Sequence, residues 1–391
     1  METLNSRTLG KNKMNSNLIV ILAFLATGCV SLDGGTKSEW GSLQSAKQVS
    51  CIKISKPARD ISAEKIVLAK NDKGQLRGLL LLGVGRLGEK VAYFHRFEEL
   101  RDLDKSDYVE MQFGNDGAPK AIVNAAGRFV SVNSVSSEAQ DHQVRDVEKN
   151  IVLYKPSFAA EDGDDVELYG LDRNQILMRV SSLDAISLYD LNLDVSNKKL
   201  SPFFTLKLDS SSYLFKAFQG RSALMSSSSE GFNLSLIRKQ KRTSQYPIKV
   251  TFDNEVESYD FAMRDDGIAL AYVDGDSLVG ETKIRIAKLA LTDAVASLSW
   301  QYEKSMGDAH LDKPQVFYGD AGARVAMMGW LDGEGTIFQF EVKDEEAVYL
   351  GAWGVFSTGS RIDGLVEFEG HPHALIKTRK NQGFRFELCR L

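Results

Sequence analysis

The sequence predicts an all-β protein, a seven-bladed β-propeller closed by its N-terminal strand and preceded by a signal peptide and a flexible tether. Three observations carry this. Short β-rich runs bounded by Gly and Asp turns follow one another from residue 47 to residue 391. They group by fours into units of roughly 40 to 60 residues, near the length of a four-stranded propeller blade. The last unit lacks a fourth strand, and an orphan strand stands before the first.

The leader comes first. Arg7, Lys11 and Lys13 precede the apolar run Leu18–Ala26, and Thr27-Gly28-Cys29 follows. A basic segment, an apolar core too short to span a bilayer and a small residue before the cut describe a secretory signal. Residues 1–28 are therefore read as the signal peptide. Residues 29–46, poor in apolar content, are read as a tether that cannot bury a core. Residues 47–391 form the folded domain. An ordinary signal peptide with an incidental cysteine is the alternative for Cys29.

The clearest unit is Ser258–Lys304, with strands at Tyr259–Met263, Ile268–Val273, Lys283–Leu291 and Ser297–Tyr302. The second strands of the seven units start at Leu79, Ala121, Ile176, Ala223, Ile268, Val325 and Ala374. In the first unit the fourth strand falls near Arg101–Asp104. In the fourth, Arg238–Arg242 reads as a turn and Tyr246–Phe252 as the last strand. The final unit supplies Gly364–Glu369, His373–Thr378 and Phe384–Leu391. Its missing strand is Gln48–Ile54, lent from the other end of the domain, which removes two open sheet edges at once. Eight blades, or six with one irregular, are the alternatives. Amphipathic helices of the length an α/β fold needs between strands are absent from the pattern.

The chain has three cysteines, Cys29, Cys51 and Cys389. With Cys29 set aside, a pair remains for an oxidising compartment. Strand lending brings Cys51 and Cys389 onto antiparallel neighbours, where a disulfide needs α-carbons within about 7 Å. Two buried free thiols are the alternative.

Charge excludes one class of partner. The formal net charge is −5, and removing the leader makes the balance more acidic. Tracking phosphate backbones needs a basic footprint, so nucleic acid is not expected. The blade-to-blade loops and the second-to-third-strand loops fall at one end of a propeller. They carry Asp162, Asp164, Asp165, Asp308 and Asp312, with Asp274 and Asp276. This predicts an acidic docking face for a basic partner, in which charge sets on-rate and register. Charged loops that are merely wet are the alternative.

No catalytic constellation stands out. His371-Pro372-His373 offers two metal ligands where a third is needed. Phe113–Pro119 superficially resembles the calcium repeat of integrin-like propellers but holds one carboxylate, and Glu161–Asp165 lacks the alternating spacing. No Gly-x-Ser-x-Gly setting and no phosphate loop are found. Neither a metal nor a cofactor is expected.

Two resemblances add an address and a class. Ala26-Thr27-Gly28-Cys29 resembles the bacterial lipobox. That implies acylation of Cys29 by diacylglycerol and palmitate, and Val30 after it implies the outer membrane. Leu289–Ala294 followed by Trp300-Gln301-Tyr302 resembles the repeat of PQQ-like propellers, with Ser297 where that repeat has glycine. A lipid-anchored propeller of this length also looks like the scaffold lipoprotein of the outer-membrane barrel-assembly machinery. Together they imply a non-catalytic interaction scaffold facing the periplasm, bound to the membrane by its anchor and to an envelope protein. An enzyme or ligand-binding module using the central channel, and a surface adhesin, are the alternatives.

Overall fold

In the computed structural model the first strand is not at the start of the ring but at its seam. The structure describes residues 46–54, 62–70, 76–84, 90–96, 109–111, 121–125, 128–134, 142–146, 151–154, 165–170, 175–182, 185–193, 201–207, 213–218, 221–228, 231–238, 241–250, 256–264, 267–274, 282–291, 296–307, 310–319, 322–331, 334–380 and 383–391. The leader, Cys29 and most of the tether therefore lie outside the described residues. Among the described residues there is no helix, and none is long and apolar enough to cross a membrane.

The strands among these residues form seven antiparallel sheets, six of four strands and one of five. Sheet 1 holds β2 (Ser62–Lys70), β3 (Leu76–Val84), β4 (Lys90–Arg96) and β5 (Val109–Met111). Sheet 2 holds β6 (Ala121–Ala125), β7 (Arg128–Ser134), β8 (His142–Asp146) and β9 (Ile151–Tyr154). Sheet 3 holds β10 (Asp165–Gly170), β11 (Gln175–Ser181), β12 (Ala185–Asn192) and β13 (Phe204–Lys207). Sheet 4 holds β14 (Tyr213–Phe218), β15 (Arg221–Ser228), β16 (Gly231–Arg238) and β17 (Lys241–Ile248). Sheet 5 holds β18 (Val256–Met263), β19 (Gly267–Asp274), β20 (Lys283–Leu291) and β21 (Ala296–Ser305). Sheet 6 holds β22 (His310–Leu311), β23 (Gln315–Gly319), β24 (Gly322–Leu331), β25 (Glu334–Val342) and β26 (Ala347–Ser357). Sheet 7 holds β27 (Ser360–Phe368), β28 (His371–Lys380), β29 (Gly383–Arg390) and β1 (Cys51–Ile54).

The sheets close into a ring. Innermost strands pack in the order β2, β6, β10 and again β14, β18, β23, β27. Sheets 3 and 4 meet through Leu177, Leu188, Phe215 and Leu224, and β27 reaches β3 to complete the circle. The fold is an all-β propeller.

Burial explains the sequence pattern. Every position of β19, Gly-Ile-Ala-Leu-Ala-Tyr-Val-Asp, is buried, because sheets 4 and 6 cover its two faces. A strand covered on both faces reads as a continuous apolar run rather than an alternation. Outer strands have one wet side, and β13 alternates half-buried and exposed positions. Hydroxyls and one indole stitch neighbouring sheets. Tyr154 donates to the carbonyl of Asn192 at 2.6 Å, Tyr259 to that of Met225 at 2.8 Å, and Trp300 Nε1 to that of Asp344 at 2.6 Å.

The seam joins both ends of the domain. Cys51 lies opposite Cys389 with α-carbons 4.0 Å apart, and their sulfurs are bonded. Arg390 N–H donates to the carbonyl of Ser50 at 2.9 Å. One step earlier the chain crosses to sheet 6. Lys47 N–H donates to Ala352 O at 3.0 Å, Gly354 N–H donates to Lys47 O at 2.9 Å, and the Lys47 ammonium lies over the Trp353 ring. The strap thus ties sheet 7 to sheet 6.

Three expectations are corrected. The fourth strand of sheet 1 is Val109–Met111, not a run near Arg101–Asp104, and it is only three residues long. Ala121 opens the first strand of its sheet, not the second, because β7 follows two residues later and Ala125 pairs with Arg128. Strand β17 begins at Lys241, opposite Arg238; its polar start mimics a turn because an outer strand has a solvated side. His371 opens strand β28 after the left-handed turn Glu369-Gly370, and His310 pairs with Trp330 as an extra strand of sheet 6.

Candidate functional site

Charged side chains of the innermost strands β18 and β27 meet strand β23, and Lys216 of β14 joins one of them. Asp260 sits on β18 among aromatic neighbours and is 2 % exposed. One carboxylate oxygen pairs with Lys216 Nζ of β14 at 2.9 Å; the other accepts the Val316 N–H of β23 at 2.8 Å. A single carboxylate thereby holds three consecutive sheets. At the end of β18, the Arg264 guanidinium donates to the Gly319 carbonyl and lies over the Tyr318 ring. Glu367 of β27 is buried against Gly319, where a β-carbon would collide with the carboxylate. Lys216, Asp260, Arg264 and Glu367 thus run along half of the inner wall.

On the other side Arg179 is gripped by Asp165 at 2.7 Å and Glu167 at 3.2 Å, and Tyr169 donates to Glu167. Burial pushes the Tyr169 hydroxyl far above its ordinary range, with the Glu167 charge adding to it. That phenol stays protonated and acts as a donor.

Acid–base chemistry at the axis would call for a histidine near these carboxylates. The described innermost strands contain none. His371 and His373 lie on β28, at the turn end of sheet 7. His371 Nε2 is 2.7 Å from an Arg390 guanidinium nitrogen, and His373 Nδ1 is 2.9 Å from the His371 carbonyl oxygen. Burial holds the His373 imidazole below its usual pKa. Among the described residues no group of three or more His, Cys, Asp or Glu is placed to hold a metal ion.

The predicted acidic face is only partly visible. Asp162, Asp164, Asp276 and Asp308 lie outside the described residues. Asp165 is exposed at the loop end of β10 while also holding Arg179. Asp312 is half-buried and its carboxylate lies 3.4 Å from Trp330 Nε1. Asp274 is a correction. It is 1 % exposed and pairs with the Arg285 side chain at 2.9 Å, and Glu303 takes the other side of that guanidinium at 2.8 Å. Buried beneath the loop end of sheet 5, it is a structural anchor and cannot dock a partner.

Sequence reasoning passed over Lys216, Asp260, Arg264 and Glu367. Three of them carry a readable signal, a lone charge inside an aromatic first strand, as in Leu-Phe-Lys-Ala-Phe, Tyr-Asp-Phe-Ala and Val-Glu-Phe. A charge in such a run must be paired once buried.

The closed ring of antiparallel sheets defines a β-propeller. No family model matches the chain, and no curated protein matches it. Solved structures resemble it in fold. The Nup133 β-propeller domain of Vanderwaltozyma polyspora is 9 % identical, with 86 % of this chain and 100 % of that one covered and a TM-score of 0.45. The β-propeller domain of the Trilobed protease from Pyrococcus furiosus is 12 % identical over 85 % and 94 %, with a TM-score of 0.48. An oligogalacturonate lyase in complex with manganese is 10 % identical over 88 % and 97 %, with a TM-score of 0.47.

Proposed function

We propose that this protein is an exported, lipid-anchored propeller that acts as a non-catalytic interaction scaffold in a bacterial envelope. Cys29 carries the acyl anchor, residues 29–46 are the tether, and the ring faces the periplasm from the outer membrane. It has seven blades, the five-stranded sheet counting as the sixth. One observation carries the reading. The Cys51–Cys389 bond ties the seam of the ring, and such bonds form and persist outside the reducing cytosol. That agrees with the export signal read in the same chain. The exposed carboxylate of Asp165 and the neighbouring Asp162 and Asp164 then form part of a docking face for a basic partner.

The test is purification of the acylated protein from gently solubilised membranes at low and high salt. A stoichiometric envelope protein that leaves at high salt, and that is weakened by joint Asp162→Asn, Asp164→Asn and Asp165→Asn substitution, is expected. A protein recovered alone under both conditions, or an unacylated Cys29, would overturn the reading.

A further inference from the structure

The loop end of sheet 7 has the opposite charge to the loops around Asp165. In that sheet β27 and β28 join at Glu369-Gly370, so the starts of β27 and β29 and the close of β28 share the other end. Asp165, which opens β10, lies at the same end of its own sheet. Arg361 stands near the start of β27, Arg379 and Lys380 close β28, and Arg385 stands near the start of β29. These strands are neighbours about 5 Å apart, so the four cations span roughly 10 Å. All four residues are exposed, the Arg361 side chain by 60 % and the Arg385 side chain by 43 %.

The backbone beneath them is fixed. The connection from β26 to β27 is only Thr358-Gly359, with Gly359 at φ 86°, and Arg379 N–H donates to the Gly359 carbonyl at 3.1 Å. The Ser360 and Thr378 hydroxyls lie 2.8 Å apart and buried under the same turn. Two carboxylates share this end. Glu387 accepts from Arg385 and stands opposite exposed Lys53, and Asp363 lies 3.6 Å from an Arg361 nitrogen. Among the described residues Arg379 and Lys380 form no ion pair. Lys377 belongs to the core, its ammonium 4.0 Å over the Phe384 ring and 5.5 Å over the Phe386 ring. Positive charge is therefore in excess on this one sheet.

We propose that the loop end of sheet 7, through Arg361, Arg379, Lys380 and Arg385, docks an acidic segment of a protein partner. A guanidinium fork matches a carboxylate with two parallel hydrogen bonds. Cations held on three adjacent strands suit a short run of Asp or Glu. A flat anionic membrane suits them less, because it would also press against exposed Glu334 of sheet 6 and against Asp165 and Glu167 of sheet 3. A segment that covers one sheet avoids those charges. The inference goes beyond the reading of Asp165 as a contact for a basic partner and holds without it or an anchor at Cys29. Where both contacts operate, opposite charges on two sheets of one face fix the rotational setting of the partner.

The oxidised full-length protein is titrated at low salt with a fluorescein-labelled octaglutamate peptide, and fluorescence anisotropy gives the affinity. Amide hydrogen exchange locates the peptide. Slower exchange is expected at 359–361, 379–380 and 383–386, with no change at 165–168. Joint Arg361→Gln, Arg379→Gln and Lys380→Gln should weaken binding about tenfold, since each exposed ion pair is worth a few-fold at most. Joint Lys207→Gln, Lys249→Gln and Lys343→Gln removes the same formal charge from exposed positions elsewhere and should leave the affinity within about twofold. Equal weakening by both triple variants, or unchanged exchange in sheet 7, would overturn the proposal. Protection of the same amides by phosphatidylglycerol vesicles but not by the peptide would also overturn it, because the ligand would then be a membrane.

Discussion

Breaking the seam should cost this protein about 4–6 kcal/mol. The perturbation is Cys51→Ala together with Cys389→Ala, which keeps the seam apolar beside Trp353 and Phe356. The bond joins residues 338 apart in sequence. For a loop of that size the chain-entropy relation gives about 5.8 kcal/mol at 25 °C, set mainly by the unfolded chain. Truncating a fully buried Cys389 removes little volume, so the cavity contribution is small beside it. Equilibrium unfolding in urea is the assay, comparing the oxidised protein with the double variant. The midpoint should fall, and the slope should rise because an uncrosslinked chain exposes more surface on unfolding. Amide exchange supplies a second reading. The four residues of β1 should open locally in the variant, while Leu375 and Ile376 of β28 still exchange only through global unfolding. A midpoint and slope both unchanged, within about 1 kcal/mol, would refute the argument that the bond acts by constraining the unfolded ring.

Three further outcomes follow from the described side chains. Asp274→Asn removes one of the carboxylates paired with the buried Arg285 and should destabilise by about 3 kcal/mol in urea unfolding, because the buried charge is then less fully compensated. Glu369 sits at φ 51° before Gly370 in a two-residue hairpin turn, and Asn tolerates that region better. Glu369→Asn should therefore raise thermal stability by about 0.5–1 kcal/mol, and a fall would contradict the turn assignment. His373 is buried and its folded pKa lies below the ordinary 6.5. The unfolded chain then binds the extra proton first, so stability should drop as pH falls from about 6.5 toward the folded value. His373→Gln should flatten that limb in denaturation series taken between pH 7 and pH 5.

Much of the architecture can be read from residues alone, and the exceptions share a cause. Strands β18, β19 and β20 cover Tyr259–Met263, Ile268–Val273 and Lys283–Leu291, where their turns and apolar runs place them. Cys51 and Cys389 are joined as strand lending implies. Reading failed where a strand lacks its own hydrophobic pattern. Val109–Met111 is too short to show a period, and Lys241–Thr243 is polar because its strand forms the rim. The inner charges failed differently. Asp260 is found only once β14 and β23 arrive from elsewhere in the chain, so no local window holds its partners. Asp274 was misread because a residue at the end of a strand looks like loop. Its burial comes from sheet packing and from Arg285, which is on the next strand but eleven positions on in the chain.

Lending β1 to the last sheet also sets the order in which the fold can be completed. Cys51 emerges early in synthesis and its partner strand only 338 residues later, so the contact that finishes the ring is among the least local the chain can make. Contacts of such sequence separation form slowly. Until β29 arrives, sheet 7 lacks its place for the strap, and the intermediate keeps open edges able to pair with other chains. Folding of this ring therefore cannot finish on a partly delivered chain. The interval between delivery and closure is when the protein most needs an escort.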